Sequence, residues 1–149
     1  MAGARKRRAR VAEAPPAHAS SLRLLLDTHT WIWWQTDDGR LGKNARRLIL
    51  ESDDASVSAA SVWEMSIKAG MGRLKVPRNL SVSEHITASG FEVLSVSGEH
   101  ADAVRHLPLL HRDPFDRMLV AQALVDGLTI LTADTAVAAY PVPVIDASA

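Results

Sequence analysis

Cysteine is absent from the 149-residue chain, which excludes a disulfide framework, thiolate metal sites and a cysteine nucleophile. The same absence is compatible with a reducing compartment. Long apolar runs are missing too. The longest, such as Leu24 to Leu26 and Trp31 to Trp34, are far too short for a membrane-spanning helix, so a soluble protein is expected. No G-x-S-x-G elbow, P-loop or dinucleotide fingerprint occurs, and Gly70-Met71-Gly72 follows a helix signal, not a strand. What remains is ordinary: 47% hydrophobic residues, enough for the core of one compact domain.

Net charge is also lacking, with 17 basic against 17 acidic side chains. That neutrality is a sum over unlike parts. Residues 1–20 carry Arg5, Lys6, Arg7, Arg8 and Arg10 against Glu13, a balance of +4, which leaves 12 basic and 16 acidic residues, or −4, for the rest. The leader has no apolar period and its basic run ends before Pro15-Pro16, so it reads as a disordered extension. An electrostatic arm for nucleic acid is the competing reading. A secretory signal is excluded, because no apolar stretch follows the basic run.

From Leu22 onward, strand and helix signals alternate. Leu22 to Leu26, Ala55 to Ala59, Phe91 to Val96, Leu128 to Leu131 and Pro143 to Ile145 read as strands. Helices are expected over Thr28 to Gln35, Lys43 to Glu51, Val62 to Ala69, Asn79 to Ser89, Glu99 to Leu107 and Thr135 to Ala139. A long one follows Asp113-Pro114 and runs to Asp126, with Gly127 as its stop. Connections too long for hairpins imply a mostly parallel sheet covered on both faces. The expected architecture is a single α/β domain over 21–149, built as three α/β/α layers.

The acidic residues are informative because of where they fall. Asp27 and Asp134 each follow an apolar strand directly, Glu64 lies near the start of the helix after the second strand, and Asp113 and Asp116 open the long helix. In a right-handed parallel sheet, strand C-termini and helix N-termini share one edge, the edge where such folds bind ligands. Thr28, Ser58, Ser61 and Thr132 accompany them as hydrogen-bond donors. Each acidic residue also has a purely structural reading. Ser61-Val62-Trp63-Glu64 has the form of a capping box, Asp113 that of an N-cap, and Asp27 and Asp134 can cap the elements that follow them. Convergence weighs against capping alone: two unit charges about 4 Å apart repel by roughly 4 kcal/mol at an effective dielectric near 20, so gathered carboxylates require a cation or a bound proton. Hard oxygen donors without cysteine favour Mg²⁺ or Mn²⁺ over Zn²⁺. His29 and His111 lie near the same edge, but without the spacing of a zinc pair they are assigned to exposed positions.

Three segments, LLLDTHTWIWW, SAASVWEMSIKAGMGRL and HRDPFDRMLVAQALVDGLTILTADTAV, in that order, resemble the PIN-domain ribonucleases, most closely the VapC-type toxins of bacterial toxin–antitoxin pairs. The resemblance spans roughly residues 22–146 and departs from the family pattern only in the basic leader. It puts the family's four acidic positions on Asp27, Glu64, Asp116, within the pattern D-x-x-x-x-A-x-A, and Asp134; Asp113 belongs to a DPFD variant and assists or merely caps. By that resemblance the chain is a metal-dependent endoribonuclease of structured RNA such as tRNA or rRNA, cytoplasmic, dimeric and held inactive by an antitoxin. Asp27, Asp116 and Asp134 are then the proposed Mg²⁺ or Mn²⁺ ligands, with Glu64 ligating through water or orienting the attacking water. Bound metal would reverse the sign of an acidic pocket that otherwise repels a phosphodiester.

Two basic groups, Arg40, Lys43, Arg46 and Arg47, then Lys68, Arg73, Lys75 and Arg78, are candidates for phosphate contacts or ordinary solvated faces. Arg117 is expected to pair with a neighbouring carboxylate. Trp31, Trp33 and Trp34 cannot all point inward from one helix, so at least one is expected to be exposed for a partner such as the antitoxin. A noncatalytic RNA-binding module and a receiver-like phosphoacceptor are the alternatives. The second is disfavoured, since only Asp27 follows the first strand and no lysine occurs after Lys75.

Overall fold

The computed structural model describes residues 22–149 other than 78; the basic leader and Arg78 lie outside the described residues. Five strands, β1 (Arg23–Leu26), β2 (Asp54–Ser58), β3 (Glu92–Leu94), β4 (Thr129–Thr132) and β5 (Val144–Asp146), form one sheet in the order β3-β2-β1-β4-β5. Every pairing is parallel, so the sheet expected to be mostly parallel is wholly so among the described residues. The helices are α1 (Thr28–Gln35), α2 (Lys43–Glu51), α3 (Ala59–Gly70), α4 (Val82–Ala88), α5 (Gly98–Ala103), α6 (Pro114–Asp126) and α7 (Thr135–Ala138).

Alternation along β1 divides the core into two layers. Leu24 and Leu26 pack with Trp31, Trp34, Ile49, Met65 and Ile86 on one face, whereas Leu25 packs with Leu119, Val120, Ile130 and Val137 on the other. Buried on both faces, β1 is apolar throughout its buried length, as a central parallel strand must be. The chain moves outward from β1 to β2 and β3, then returns to place β4 on the opposite side of β1. The carboxyl ends of β1 and β4 therefore flank the topological switch point, where open α/β sheets leave a ligand crevice.

Several boundaries differ from expectation for local reasons. Helix α3 begins at Ala59, because the Ser58 side chain at the end of β2 accepts from Ala60 N and caps it immediately. Glu64 is thereby moved to the second turn, and the expected Ser61 to Glu64 capping box does not form. A capping box does form at Ser81 and Glu84, so α4 starts at Val82 and not near Asn79. The helix expected over 99–107 ends at Ala103, tightens into a 3-10 turn over Val104–His106 and gives way to extended Leu107 ahead of Pro108. Gly127 terminates α6 in the left-handed conformation with φ of 68°.

The indoles are arranged otherwise than expected. Trp31 and Trp34 are buried and Trp33 is half-buried, with the Arg40 guanidinium 5.2 Å over its ring. The openly exposed tryptophan is Trp63 on α3, at 62% exposure, edge-on to Phe115 of α6 at 5.1 Å. Its position in the second turn of α3 turns it away from the sheet.

Candidate active site

Asp27 sits at the carboxyl end of β1, buried, as the N-cap of α1. Its Oδ1 accepts from Thr30 N at 2.8 Å, and its Oδ2 accepts from Thr132 Oγ1. Thr30 is itself tied down, its hydroxyl donating to Leu131 O at 3.0 Å. Across the crevice, Asp134 caps α7 through Oδ1, which accepts from Ala136 N at 2.8 Å, while Asp134 N donates to Thr132 Oγ1 at 3.0 Å. One threonine hydroxyl thus joins the segments that carry both carboxylates.

Asp113 and Asp116 reach the same place from α6. Asp113 caps the helix, its Oδ1 accepting from Phe115 N at 2.8 Å and Asp116 N at 3.3 Å, with Pro114 at the first helical position. Capping occupies Oδ1 of Asp113 and of Asp134 and leaves each Oδ2 for other work. The structural and chemical readings of these residues are therefore compatible. Asp116 is surrounded by acid: burial and the neighbouring Asp113 charge push its carboxyl up to about 6, His111 opposes the rise through a hydrogen bond, and Asp134 and Asp27 add to it.

Glu64 stands apart from this mutual repulsion. Its Oε1 lies 2.6 Å from Thr28 Oγ1, and its Oε2 is 3.2 Å from Lys68 Nζ one turn along α3. Thr28 Oγ1 also lies 2.9 Å from Ser61 Oγ. Because Thr28 directly follows Asp27, Glu64 is anchored to the rim of the same crevice, already hydrogen-bonded on both oxygens. Thr28 and Thr132 donate to the carboxylates of Glu64 and Asp27 as expected, whereas Ser61 accepts from Thr28 and reaches no carboxylate, and Ser58 caps α3.

His111 is the residue that sequence reasoning misplaced. Expected at an exposed position, it is half-buried, with Nε2 2.8 Å from Asp116 Oδ2 and 3.8 Å from Asp134 Oδ2. No helical or zinc-type spacing announces it, since the loop between Pro108 and Pro114 decides where it points. Tyr140 holds that loop, accepting from His111 N at 2.9 Å. Arg117, expected to pair with a carboxylate, instead donates to Pro108 O at 2.9 Å, Tyr140 Oη at 3.0 Å and Val104 O at 3.1 Å. Its fork meets backbone carbonyls because the 104–108 segment folds directly over the first turn of α6.

The donor set fits a hard divalent cation. Among the described residues, no lysine or arginine forms an ion pair with Asp27, Asp113, Asp116 or Asp134. The ligand atoms of His111, Asp113 and Asp116 lie within 4.8 Å of one another. Carboxylate oxygens dominate, as suits Mg²⁺ or Mn²⁺. Much of the first basic group is committed elsewhere: Arg40 pairs with Asp38, Arg46 with Asp37 and Arg47 with Glu51.

A carboxylate crevice at the β1/β4 switch point of this sheet order coincides with a family assignment, for the PIN domain family matches residues 24–142. The chain belongs to the PIN-domain family. Over 116 residues this PIN domain is 29% identical to Ribonuclease VapC22 of Mycobacterium tuberculosis (strain ATCC 25618 / H37Rv), covering 74% of this chain and 86% of that protein. DNA-bound VapBC from Salmonella typhimurium shares its fold with a TM-score of 0.61 at 22% identity, across 84% of this chain and 98% of that one. VapBC2 from Rickettsia felis, solved bound to a DNA fragment from its promoter, aligns with a TM-score of 0.63 at 15% identity, across 83% and 98%. No helix of the described residues is long and apolar enough to cross a membrane.

Proposed function

We propose that this PIN domain is a divalent-metal-dependent endoribonuclease and the toxin of a toxin–antitoxin pair, acting in the cytoplasm on structured RNA such as tRNA or rRNA. The observation that carries the reading is the cluster in which ligand atoms of His111, Asp113 and Asp116 lie within 4.8 Å of one another and Asp134 Oδ2 lies 3.8 Å from His111 Nε2, with the Asp27 charge also felt at Asp116. The name of its mycobacterial relative and the toxin–antitoxin complexes that share its fold support the same class.

Asp27, Asp116 and Asp134 would hold Mg²⁺ or Mn²⁺, with Asp113 beside them. Such an ion lowers the pKa of a coordinated water and offsets charge on the phosphoryl oxygens. The chain's own residues supply position. Thr132 and the Thr30 amide fix both oxygens of Asp27. Glu64, unlike Asp27, is ion-paired with a lysine, and with Lys68 already neutralising it and Thr28 holding its other oxygen it is suited to orient a water and less suited to direct ligation. Lys43, Arg73, Lys75, Arg105 and Arg112 have no ion-pair partner among the described residues and are available for the RNA backbone.

For the antitoxin, an apolar groove of about 260 Å³ runs beside α1, lined by Trp31, Ile32, Met65, Leu74, Val76 and Val82. Its apolar lining suits the apolar face of an amphipathic segment. A homodimer is the working form that the resemblance to the VapC-type toxins implies. Sequencing RNA ends after induced expression tests the activity. Recurrent new ends at one RNA site, absent for Asp27→Asn, are expected; an unchanged profile would refute the reading.

A further inference from the structure

We infer that His111 supplies a nitrogen ligand to the divalent ion of this site and biases the site toward Mn²⁺ over Mg²⁺. The inference rests on the metal-dependent reading above and specifies its donor set.

His111 Nε2 lies 2.8 Å from Asp116 Oδ2 and 3.8 Å from Asp134 Oδ2, and ligand atoms of His111, Asp113 and Asp116 fall within 4.8 Å of one another. Donors bonded to one small ion at about 2.1 Å sit roughly 3 Å apart when adjacent and about 4.2 Å apart when opposite. The imidazole thus stands at co-ligand distance, and its hydrogen bond to Asp116 is the contact that a bound ion would replace.

The loop that carries the ring is held in place. His111 N donates to Tyr140 Oη at 2.9 Å, Tyr140 is buried, and Arg117 fastens both that hydroxyl, at 3.0 Å, and the preceding loop, through Pro108 O at 2.9 Å and Val104 O at 3.1 Å. A surface histidine that merely caps or solvates has no need of such support, whereas pre-set ligand positions are characteristic of metal sites. His29, the other histidine at this edge, is exposed and has no ligand atom in the cluster.

Mg²⁺ takes oxygen donors and retains much of its water, whereas affinity for nitrogen donors rises along the first-row series from Mn²⁺ onward. One imidazole among several carboxylates leaves the site able to bind Mg²⁺ but improves it more for Mn²⁺, and more again for the later first-row ions, than for Mg²⁺.

The test is pulsed EPR of Mn²⁺ bound to the full chain, with and without ¹⁵N-labelled histidine, alongside Mn²⁺ and Mg²⁺ titrations of the parent, His111→Ala and His111→Gln. Directly bound histidine nitrogen is expected in the parent and absent from both variants. Mn²⁺ affinity should fall at least about tenfold in the variants and Mg²⁺ affinity by less than about threefold. Mn²⁺ binding without nitrogen coupling, or equal losses for both ions, would overturn the assignment of His111 while leaving the nuclease reading intact. Failure of the parent to bind either ion would overturn both. The parent spectrum does not depend on whether a variant folds.

Discussion

Thr132 Oγ1 donates to Asp27 Oδ2 across the seam between β4 and β1. The same hydroxyl accepts from Asp134 N at 3.0 Å, so one side chain sets the spacing of two carboxylates that lie 107 positions apart in the chain. Thr132→Val keeps the shape and removes both bonds. It is expected to cost about 1–3 kcal/mol in urea unfolding and to lower RNA cleavage by about 10- to 100-fold. Unchanged cleavage by the folded variant would show that this link does not position the site.

Asp116 gives the metal-free protein a distinctive pH dependence. Its folded carboxyl titrates near 6, driven chiefly by burial and by Asp113, whereas an unfolded Asp titrates near 3.9. Between those values the folded state holds more protons, so the Asp116 contribution to stability is full below about pH 4 and is lost as pH rises through about 6. Asp116→Asn is expected to remove this component. In EDTA, the variant's stability relative to the parent should rise from pH 4 to pH 7, as read from urea midpoints. Saturating Mn²⁺ should reverse the order at pH 7, stabilising the parent by about 2.7 kcal/mol at 100 times its Kd and the variant far less.

Gly127 tests the fold apart from the chemistry. With φ of 68° and nothing within 4 Å of the place a Cβ would take, the cost of Gly127→Ala is backbone strain alone. About 1–2 kcal/mol of destabilisation is expected, with cleavage unaltered at a temperature where both proteins are folded. A neutral effect would mean that the end of α6 relaxes into another conformation.

Much of this was legible in the sequence. The apolar stretch Leu24 to Leu26, the Asp113-Pro114 start and the Gly127 stop of α6 are strong local signals, and together they locate β1, α6 and the acidic edge. What escaped was set by tertiary contact. The Ser58 cap displaced the start of α3 and carried Glu64 into the second turn. His111 reached the cluster because Tyr140 and Arg117 hold a loop that has no periodicity to read. Arg117 itself was misassigned, since a charge-pairing argument cannot foresee three acceptors in a folded-over turn and a tyrosine.

The apolar groove beside α1 offers a separation of function. Val76→Glu places a charge on its wall, far from any proposed ligand in sequence, and leaves the acidic cluster untouched. Affinity for the antitoxin should fall at least about tenfold, or about 1.4 kcal/mol, measured by calorimetry, with RNA cleavage by the free protein unchanged. Retained affinity would place the antitoxin on another face.

The central claim is that the convergent carboxylates hold a cation that makes the chain an RNase. Its most direct test is cleavage of end-labelled structured RNA by the purified protein in Mg²⁺ or Mn²⁺, in EDTA, and by folded Asp27→Asn. Metal-dependent cutting by the parent is expected, abolished by EDTA and reduced at least about 100-fold in the variant, beyond the loss typical of a supporting residue. Equal cutting in EDTA, or by folded Asp27→Asn, would contradict it.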